Sequence, residues 1–417
     1  MNIIEAIPEG GIGAVILSIL LLLGCAVAFG RLFSLIKMPV VVGQIIGGLV
    51  LGPTVLGGAF PALYDKVFFS FPGQGQALSV IYWLGLIYLM FSSGYEVKFD
   101  GFKNDRKIIA VLCVGATAIP FAAGYFLSEH FFLPHYTGAN GGRLAFTIVF
   151  CIAIAVTSLP VISKIFMDLG LMESRFAKIV LATAAVQDLF LWILLSVATA
   201  IALNNQISVL GIAWHFIVTV ALFVIIVFVP RLVKRPINPE KICGVDNFAF
   251  ILCFTCIAVG TVFQVNIMYS AFLAGLLFKN MVSRNLSAET AKKIKDVFSA
   301  FFIPVYFAIV GFRINLDASF SVKVFLMFLL IAFVLEIAGC FIAMLSIRKG
   351  FWTSLNLGIA MNARGGPGIV LASVTFEMGI INYEFFCALI LTTLISSAFA
   401  GYWIDFINRR GKLLAAE

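Results

Sequence analysis

The sequence has little charge. Asp, Glu, Lys and Arg make up 12% of its 417 residues, while 62% are hydrophobic and mean hydropathy is +1.10. Soluble globular domains carry roughly twice that charge, so this class is excluded. Histidine is scarce: three residues, scattered without metal-ligand spacing, give no basis for a zinc or redox-metal site. The N-terminus lacks the basic region of a secretory signal, with Glu5 and Glu9 in its place and no clear cleavage site after the first apolar run. A Gly-x-Gly-Asp motif is absent, which argues against an intramembrane aspartyl protease. No filter-like repeat is present, which argues against a channel. The net charge of +8 is no nucleic-acid signature, because the basic residues lie in short connections between apolar segments. The eight cysteines fall mostly inside such segments; Cys253 and Cys256 form a C-x-x-C within one of them, where they read as small packing residues.

What the sequence does have is apolar runs of about 18 or more residues, again and again, the mark of a polytopic α-helical membrane protein. Thirteen spans are expected, at about 11–30, 39–56, 78–95, 107–128, 143–165, 176–202, 208–230, 247–263, 265–281, 296–312, 322–346, 352–378 and 382–406. The loops support this count. With the N-terminus outside, four of the 28 Lys and Arg residues (Lys66, Arg143, Arg313 and Lys323) fall in outer loops, Arg364 lies in a span, and the other 23 fall inside. That is the expected inward bias, and it puts the C-terminus inside.

An odd number of spans suggests two sets of six joined by a seventh, linking helix, the sets having inverted topology. The fifth span contains Ala155-Val-Thr-Ser-Leu-Pro160 and the twelfth Met361-Asn-Ala-Arg-Gly-Gly-Pro-Gly368. Pro160 and Pro367 each remove a helical hydrogen bond and the glycines relax the backbone. These are the fifth members of both sets, and paired interruptions at matching positions point to a midplane binding site. Ordinary proline kinks with close-packing glycines are the alternative. In the sixth span, Leu181-Ala-Thr-Ala-Ala-Val-Gln-Asp-Leu-Phe-Leu-Trp-Ile-Leu-Leu195 places Asp188 near the bilayer centre beside Gln187. A carboxylate at that depth must face protein or a wet cavity, and marks an ion or proton pathway unless a buried cation locks it for packing.

At these residues the chain resembles the monovalent cation:proton antiporter superfamily, in the branch of bacterial sodium/proton antiporters, glutathione-gated potassium efflux systems and plant cation/proton exchangers. Pro39-Val-Val-Val-Gly-Gln-Ile-Ile-Gly-Gly-Leu-Val-Leu-Gly-Pro53 resembles the family's second helix, with Gln44 where Glu is usual. Leu84-Gly-Leu-Ile-Tyr-Leu-Met-Phe-Ser-Ser-Gly-Tyr-Glu96 resembles the third, and the stretch around Asp188 resembles the helix bearing the transport aspartate. Ser270-Ala-Phe-Leu-Ala-Gly-Leu276, Pro304-Val-Tyr-Phe-Ala-Ile-Val-Gly-Phe-Arg313 and Met361-Asn-Ala-Arg-Gly365 resemble three later signatures. Each alone is weak; their order and spacing together are specific.

The resemblance implies a sodium/proton antiporter-like fold: an all-α polytopic membrane protein with two inverted six-helix repeats and broken crossing helices. It implies a scaffold of 1–100 and 246–318 that dimerises, a linker helix in 206–245, and a transport core of 101–205 and 319–417. It implies exchange of K+ or Na+ for protons by alternating access at Asp188, no enzymatic activity and no cofactor beyond the transported ions. The location implied is an integral membrane one, the bacterial inner membrane, in a homodimer. The potassium-efflux relatives continue into a soluble nucleotide-binding domain; with the sequence stopping at Glu417, an attached soluble regulatory domain is not expected.

Thr157 and Ser158 of the first break, and Gln187, would add neutral oxygens to Asp188, as suits a hard cation. The Gln-Asp pair resembles the potassium-efflux relatives and tilts the reading toward potassium. Arg364, with Asn362 beside it, would neutralise carbonyls freed at the crossing; direct pairing with Asp188 or Glu336 is its alternative. One departure stands out. In Val334-Leu-Glu-Ile-Ala-Gly339, Glu336 occupies the position where the family commonly carries a lysine near the transport aspartate. If it lies about 5 Å from Asp188, two like charges repel by about 3 kcal/mol at an effective dielectric near 20 and titrate as a unit. Such a site could move more than one proton per cation, or another solute such as an organic cation or metabolite on the same fold. The alternative is that Glu336 faces a basic partner elsewhere.

Overall fold

The structure is a computed structural model that describes residues 9–36, 38–97, 105–203, 208–232, 237, 239–241, 243–316, 320–411 and 413. Glu5 and the basic residues Lys37, Lys98, Lys103, Lys234, Arg235 and Lys412, counted above, lie outside the described residues. By packing, the chain divides into two units, residues 1–89 with 291–320, and 90–290 with 321–417.

The smaller unit holds α1 (Glu9–Leu35), α2 (Val40–Leu51), the short α3 (Pro61–Phe68), most of α4 (Gln74–Glu96), the end of α13 (Arg284–Ala300) and α14 (Phe302–Phe312). Its centre is α2, whose glycines work on two sides. Gly43 and Gly47, four apart on one face, lie against the backbone of α1 at Phe29 and Cys25. Gly48 meets Ala308 of α14, and Gly311 of α14 meets Ile45. A methyl group at any of these would collide with backbone, so the contacts are close in the way that small residues allow between membrane helices.

The larger unit holds the end of α4 and α5 (Arg106–Leu127), α6 (Leu133–Tyr136), α7 (Arg143–Ala155), α8 (Leu159–Asp168), α9 (Arg175–Leu203) and α10 (Val209–Leu232). It continues with α11 (Val245–Val262), α12 (Ile267–Met281) and the start of α13, then α15 (Val322–Ser346), α16 (Phe351–Met361), α17 (Gly365–Glu377) and α18 (Tyr383–Arg409). Gly115 of α5 and Gly339 of α15 lie against each other, bringing these two helices together. At one end the chain before α7 pairs with the α17–α18 connection: Thr137 bridges Ile381, and the N–H groups of Gly138 and Asn140 donate to the carbonyls of Ile380 and Gly379 at 2.9 and 2.8 Å.

Ten helical segments among the described residues are long and apolar enough to cross a membrane, eleven with the bent pair 285–300 and 302–312. The expected thirteen would also need α12, which has 15 residues, and the pair α16/α17, whose halves have 11 and 13 residues. The outward faces stay apolar: Ile16, Leu20 and Leu35 on α1, and Val209, Leu210 and Trp214 on α10, are exposed. Hydrocarbon covers such faces at no cost, and the chain is an integral membrane protein.

Two elements depart from the expected spans. The span placed at 296–312 is instead α13 followed, after a 41° bend, by α14. Lys292, Lys293, Lys295 and Asp296 are exposed on α13, while Ser287, Thr290, Ile294 and Phe298 turn inward. That is an amphipathic surface helix. Helix α3 was not expected. Its eight residues include Asp65 and Lys66, too short and polar for a hydropathy signal, and Pro61 starts it where a missing N–H is harmless.

Candidate functional site

All the site residues singled out in the sequence lie in the larger unit, and the structure brings most of them to one crossing. Helix α7 ends at Ala155 and α8 begins at Leu159; α16 ends at Met361 and α17 begins at Gly365. The breaks are therefore Val156–Ser158 and Asn362–Arg364. The prolines do not make them by kinking a continuous helix. Pro160 and Pro367 sit in the first turns of α8 and α17, where the backbone N–H has no intrahelical acceptor anyway.

The two breaks are bonded to each other. The Ser158 N–H donates to the Ala363 carbonyl at 2.5 Å, and Thr157 Oγ1 donates to the Met361 carbonyl at 2.6 Å. Gly365 has φ +36°, and a side chain there would strike Val161 and Ser158. Glycine supplies both the left-handed backbone and the space for the crossing. The Gly365 N–H donates to Ser397 Oγ of α18 at 2.9 Å. Ser397 was not foreseen; a hydroxyl inside an apolar span was its only signal.

A helix that stops inside a membrane protein leaves carbonyls that must find donors. Arg364, 1% exposed, supplies them for α7: Nη1 donates to Ala153 at 2.7 Å, and Nη2 to Ile154 at 2.8 Å. Nη2 also reaches the Ala332 carbonyl at 2.9 Å, and Asn362 Oδ1 at 3.3 Å. Gln187 serves the last carbonyl of α7: its Nε2 donates to Ala155 at 2.5 Å and to Ala116 of α5 at 3.1 Å. Asn362 Nδ2 donates back to Gly358 at 3.1 Å. Ser158 caps α8, accepting from the Val161 N–H at 3.3 Å.

Glu336 has a cationic partner. Its Oε2 accepts from Arg364 Nη2 at 2.8 Å in an ion pair in which both side chains are essentially unexposed, and its Oε1 lies 3.1 Å from Thr157 Oγ1, a second and longer acceptor for the one proton that Thr157 gives to Met361. Of the two acids that the sequence offered Arg364 as a direct partner, Glu336 is the one it pairs with. Arg364 likewise combines the two roles held apart in the sequence reading: it satisfies freed carbonyls and pairs with Glu336.

Asp188 has no such partner. It is 2% exposed near the middle of α9, and among the described residues it makes no ion pair. Its Oδ1, like Gln187 Oε1, has no hydrogen-bond partner. The group that faces it is the backbone N–H of Leu159, the first residue of α8. A helix N-terminus carries partial positive charge, which favours a carboxylate but leaves most of its demand for charge unmet. When ionised, Asp188 with Gln187 presents acceptor oxygens and one net negative charge, which suits a small hard cation or a proton. The described residues contain no cluster of three His, Cys, Asp or Glu able to hold a metal ion.

Comparison with known proteins bears on the family and the fold. The profile described as "Sodium/hydrogen exchanger, transmembrane" matches residues 17–410. The Na(+)/H(+) antiporter NhaS4 of Synechocystis is 25% identical over 394 residues, covering 92% of this chain and 94% of that one. The K(+)/H(+) antiporter 1 of Saccharomyces cerevisiae is 26% identical over 384 residues, covering 88% of this chain and 43% of that one. The chain spans about half the length of the plant relatives it matches, 48% of the Cation/H(+) antiporter 17 of Arabidopsis thaliana. The solved structure of the sodium proton antiporter MjNhaP1 from Methanocaldococcus jannaschii superposes with a TM-score of 0.71 over 98% of this chain and 99% of that one, at 14% identity. The fold is thus the sodium/proton antiporter fold.

Proposed function

The chain belongs to the sodium/hydrogen exchanger transmembrane family, and from that premise we propose that it exchanges a monovalent cation, K+ or Na+, for protons by alternating access at Asp188. The observation that carries this reading is the buried, unpaired carboxylate facing the start of α8 beside a crossing of two broken helices. One acceptor that must be neutralised can hold a cation or a proton in turn, and competition for it is sufficient for exchange. Gln187 Oε1 is the second ligand. Thr157 and Ser158 contribute less directly, since their hydroxyls already serve the crossing. Residues 101–205 and 319–417 form the moving core, and 1–100 with 246–318 the dimerising scaffold, with the N-terminus outside and the C-terminus inside a bacterial inner membrane.

Both ions have support. A sodium antiporter and a potassium antiporter are similarly related to the chain, and the Gln-Asp pair favours potassium. The case for exporting another solute rested on Glu336 as a second free carboxylate, and an ion-paired Glu336 does not supply one. The test is pH-driven flux in proteoliposomes with Na+ and K+ supplied in turn. Flux of at least one is expected, lost in Asp188→Asn; flux retained in a folded Asn variant places the ion elsewhere.

A further inference from the structure

Asp188 is covered along α9 as well as at the crossing. At about 3.6 residues per turn, Leu195 and Thr199 return to its side of the helix. Both are buried, as is Trp192 one turn beyond Asp188. Thr199 lies roughly 16 Å from Asp188 along the helix axis, at about 1.5 Å per residue. There the hairpin of α11 and α12 closes on α9 through Asn266. The Asn266 backbone N–H donates to Ser196 Oγ at 3.2 Å, and its Nδ2 donates to Thr199 Oγ1 at 3.4 Å. Ser196 and Thr199 are each 2% exposed. The acceptors of Asn266 serve its own helix. Its Oδ1 accepts from the Met268 N–H at 2.9 Å as the cap of α12, and its carbonyl accepts from the Ser270 N–H and hydroxyl. The cap therefore stands without α9. A further bond ties α12 to α10: Tyr269 Oη donates to the Thr219 carbonyl at 3.1 Å.

We propose that Asn266 is a latch on the ion path at the Leu203 end of α9: bonded to Ser196 and Thr199 it shuts that approach to Asp188, and parted from them it opens it. This rests on the proposed exchange at Asp188, with the Leu203 end of α9 outside. By packing, α12 belongs with α9 and α10 in the larger unit, although the proposed scaffold contains it. The Asn266 contact is thus one that has to part when the core moves against the scaffold. Its chemistry suits parting. Both bonds join neutral groups and are long, so each biases the two states by a small factor and locks neither. Water entering from that end can pair with the freed amide and both hydroxyls, so release strands no polar group. The Tyr269 bond differs. Tyr269 and Thr219 are both buried, and their bond holds α12 on the linker helix in either state.

The test reads the half-saturating cation concentration at each face separately, in right-side-out and in everted vesicles of antiporter-deficient cells carrying the full chain. Sodium and potassium are the probes, used in turn. Thr199→Val and Ser196→Ala each remove one acceptor and leave the cap of α12 intact. A bias between states acts on apparent affinity through the fraction of the competent form. Each variant is therefore expected to lower the outer constant by about three- to tenfold, with the inner constant held within about twofold or raised. Constants that stay at their wild-type values, that move together, or that fall at the inner face alone overturn the latch. Absence of any pH-driven flux of either cation in the wild-type chain instead overturns the exchange on which it rests. Tyr269→Phe is the control. It cuts the bond to α10, so the melting temperature should fall and the ratio of the two constants should stay. A ratio moved as far as in Thr199→Val would mean that any loosening of α12 has this effect, and would overturn the assignment to Asn266. Should Ser196→Ala fail to fold, Thr199→Val, which keeps the side-chain volume, still decides.

Discussion

The centre of α9 and the centre of α15 each bury a carboxylate, and the two are treated in opposite ways. Glu336 on α15 has an ion pair on one oxygen and a hydroxyl on the other. Asp188 on α9 has a bare oxygen and a single backbone N–H facing it. Burial alone therefore does not mark a working acid in a membrane protein. A buried carboxylate whose demand for charge is met inside the protein needs no mobile ion, and one whose demand is left open asks for a mobile cation or a proton. The two breaks show the same division of labour. The neutral first break frees the carbonyls of Ala153, Ile154 and Ala155; the second break lends Arg364 to the first two, and Gln187 takes the third.

The contrast can be broken most severely at Asp188. Asp188→Asn keeps the volume and removes the charge, so exchange should vanish while the purified protein keeps its melting temperature; a pH-driven flux assay with a thermal melt checks both. Arg364→Ala should act the other way, on folding first. It leaves Glu336 buried and unpaired and two α7 carbonyls without donors, a loss of about 3–5 kcal/mol. Detergent-solubilised yield and melting temperature measure it, and a fully stable but inactive Ala variant would instead place Arg364 at the ion.

Glu336→Lys sets an ammonium beside the guanidinium of Arg364 in place of its anionic partner. It should destabilise by a similar amount, about 3–5 kcal/mol; unchanged stability would mean that Arg364 turns away. Thr157→Val removes a hydroxyl that joins Met361 and Glu336, at about 1–2 kcal/mol. It should raise the apparent cation KM by up to about tenfold through loosening the crossing, read from flux against cation concentration. Ser158→Ala should be mildest, losing the cap of α8 at about 1 kcal/mol in a thermal melt.

Much of this was legible in the sequence. The apolar runs predicted α1, α5, α9, α15 and α18 to within a few residues, because a helix that must satisfy its own backbone in lipid has to write its length in apolar side chains. The breaks were legible as Pro and Gly inside such runs, and Asp188 as a charge where charge is expensive. The amphipathic α13 blurred with α14 because the hydropathy of a window averages over the bend between them.

What the sequence by itself determined was thus one-dimensional: which stretches lie in lipid, where they are interrupted and at what depth the ionisable groups sit. Only the tertiary structure decided who meets whom. Depth along a helix does not give rotation about it, so Glu336 could have turned to Asp188 or to Arg364. Packing turned it to Arg364, with Gly115 against Gly339 drawing α5 and α15 together and Gly365 letting the breaks cross. The partners of Gln187 and Arg364 are backbone carbonyls, present at every position and marked at none. A carbonyl becomes a partner when a neighbouring helix stops beside it, and that follows from the fold.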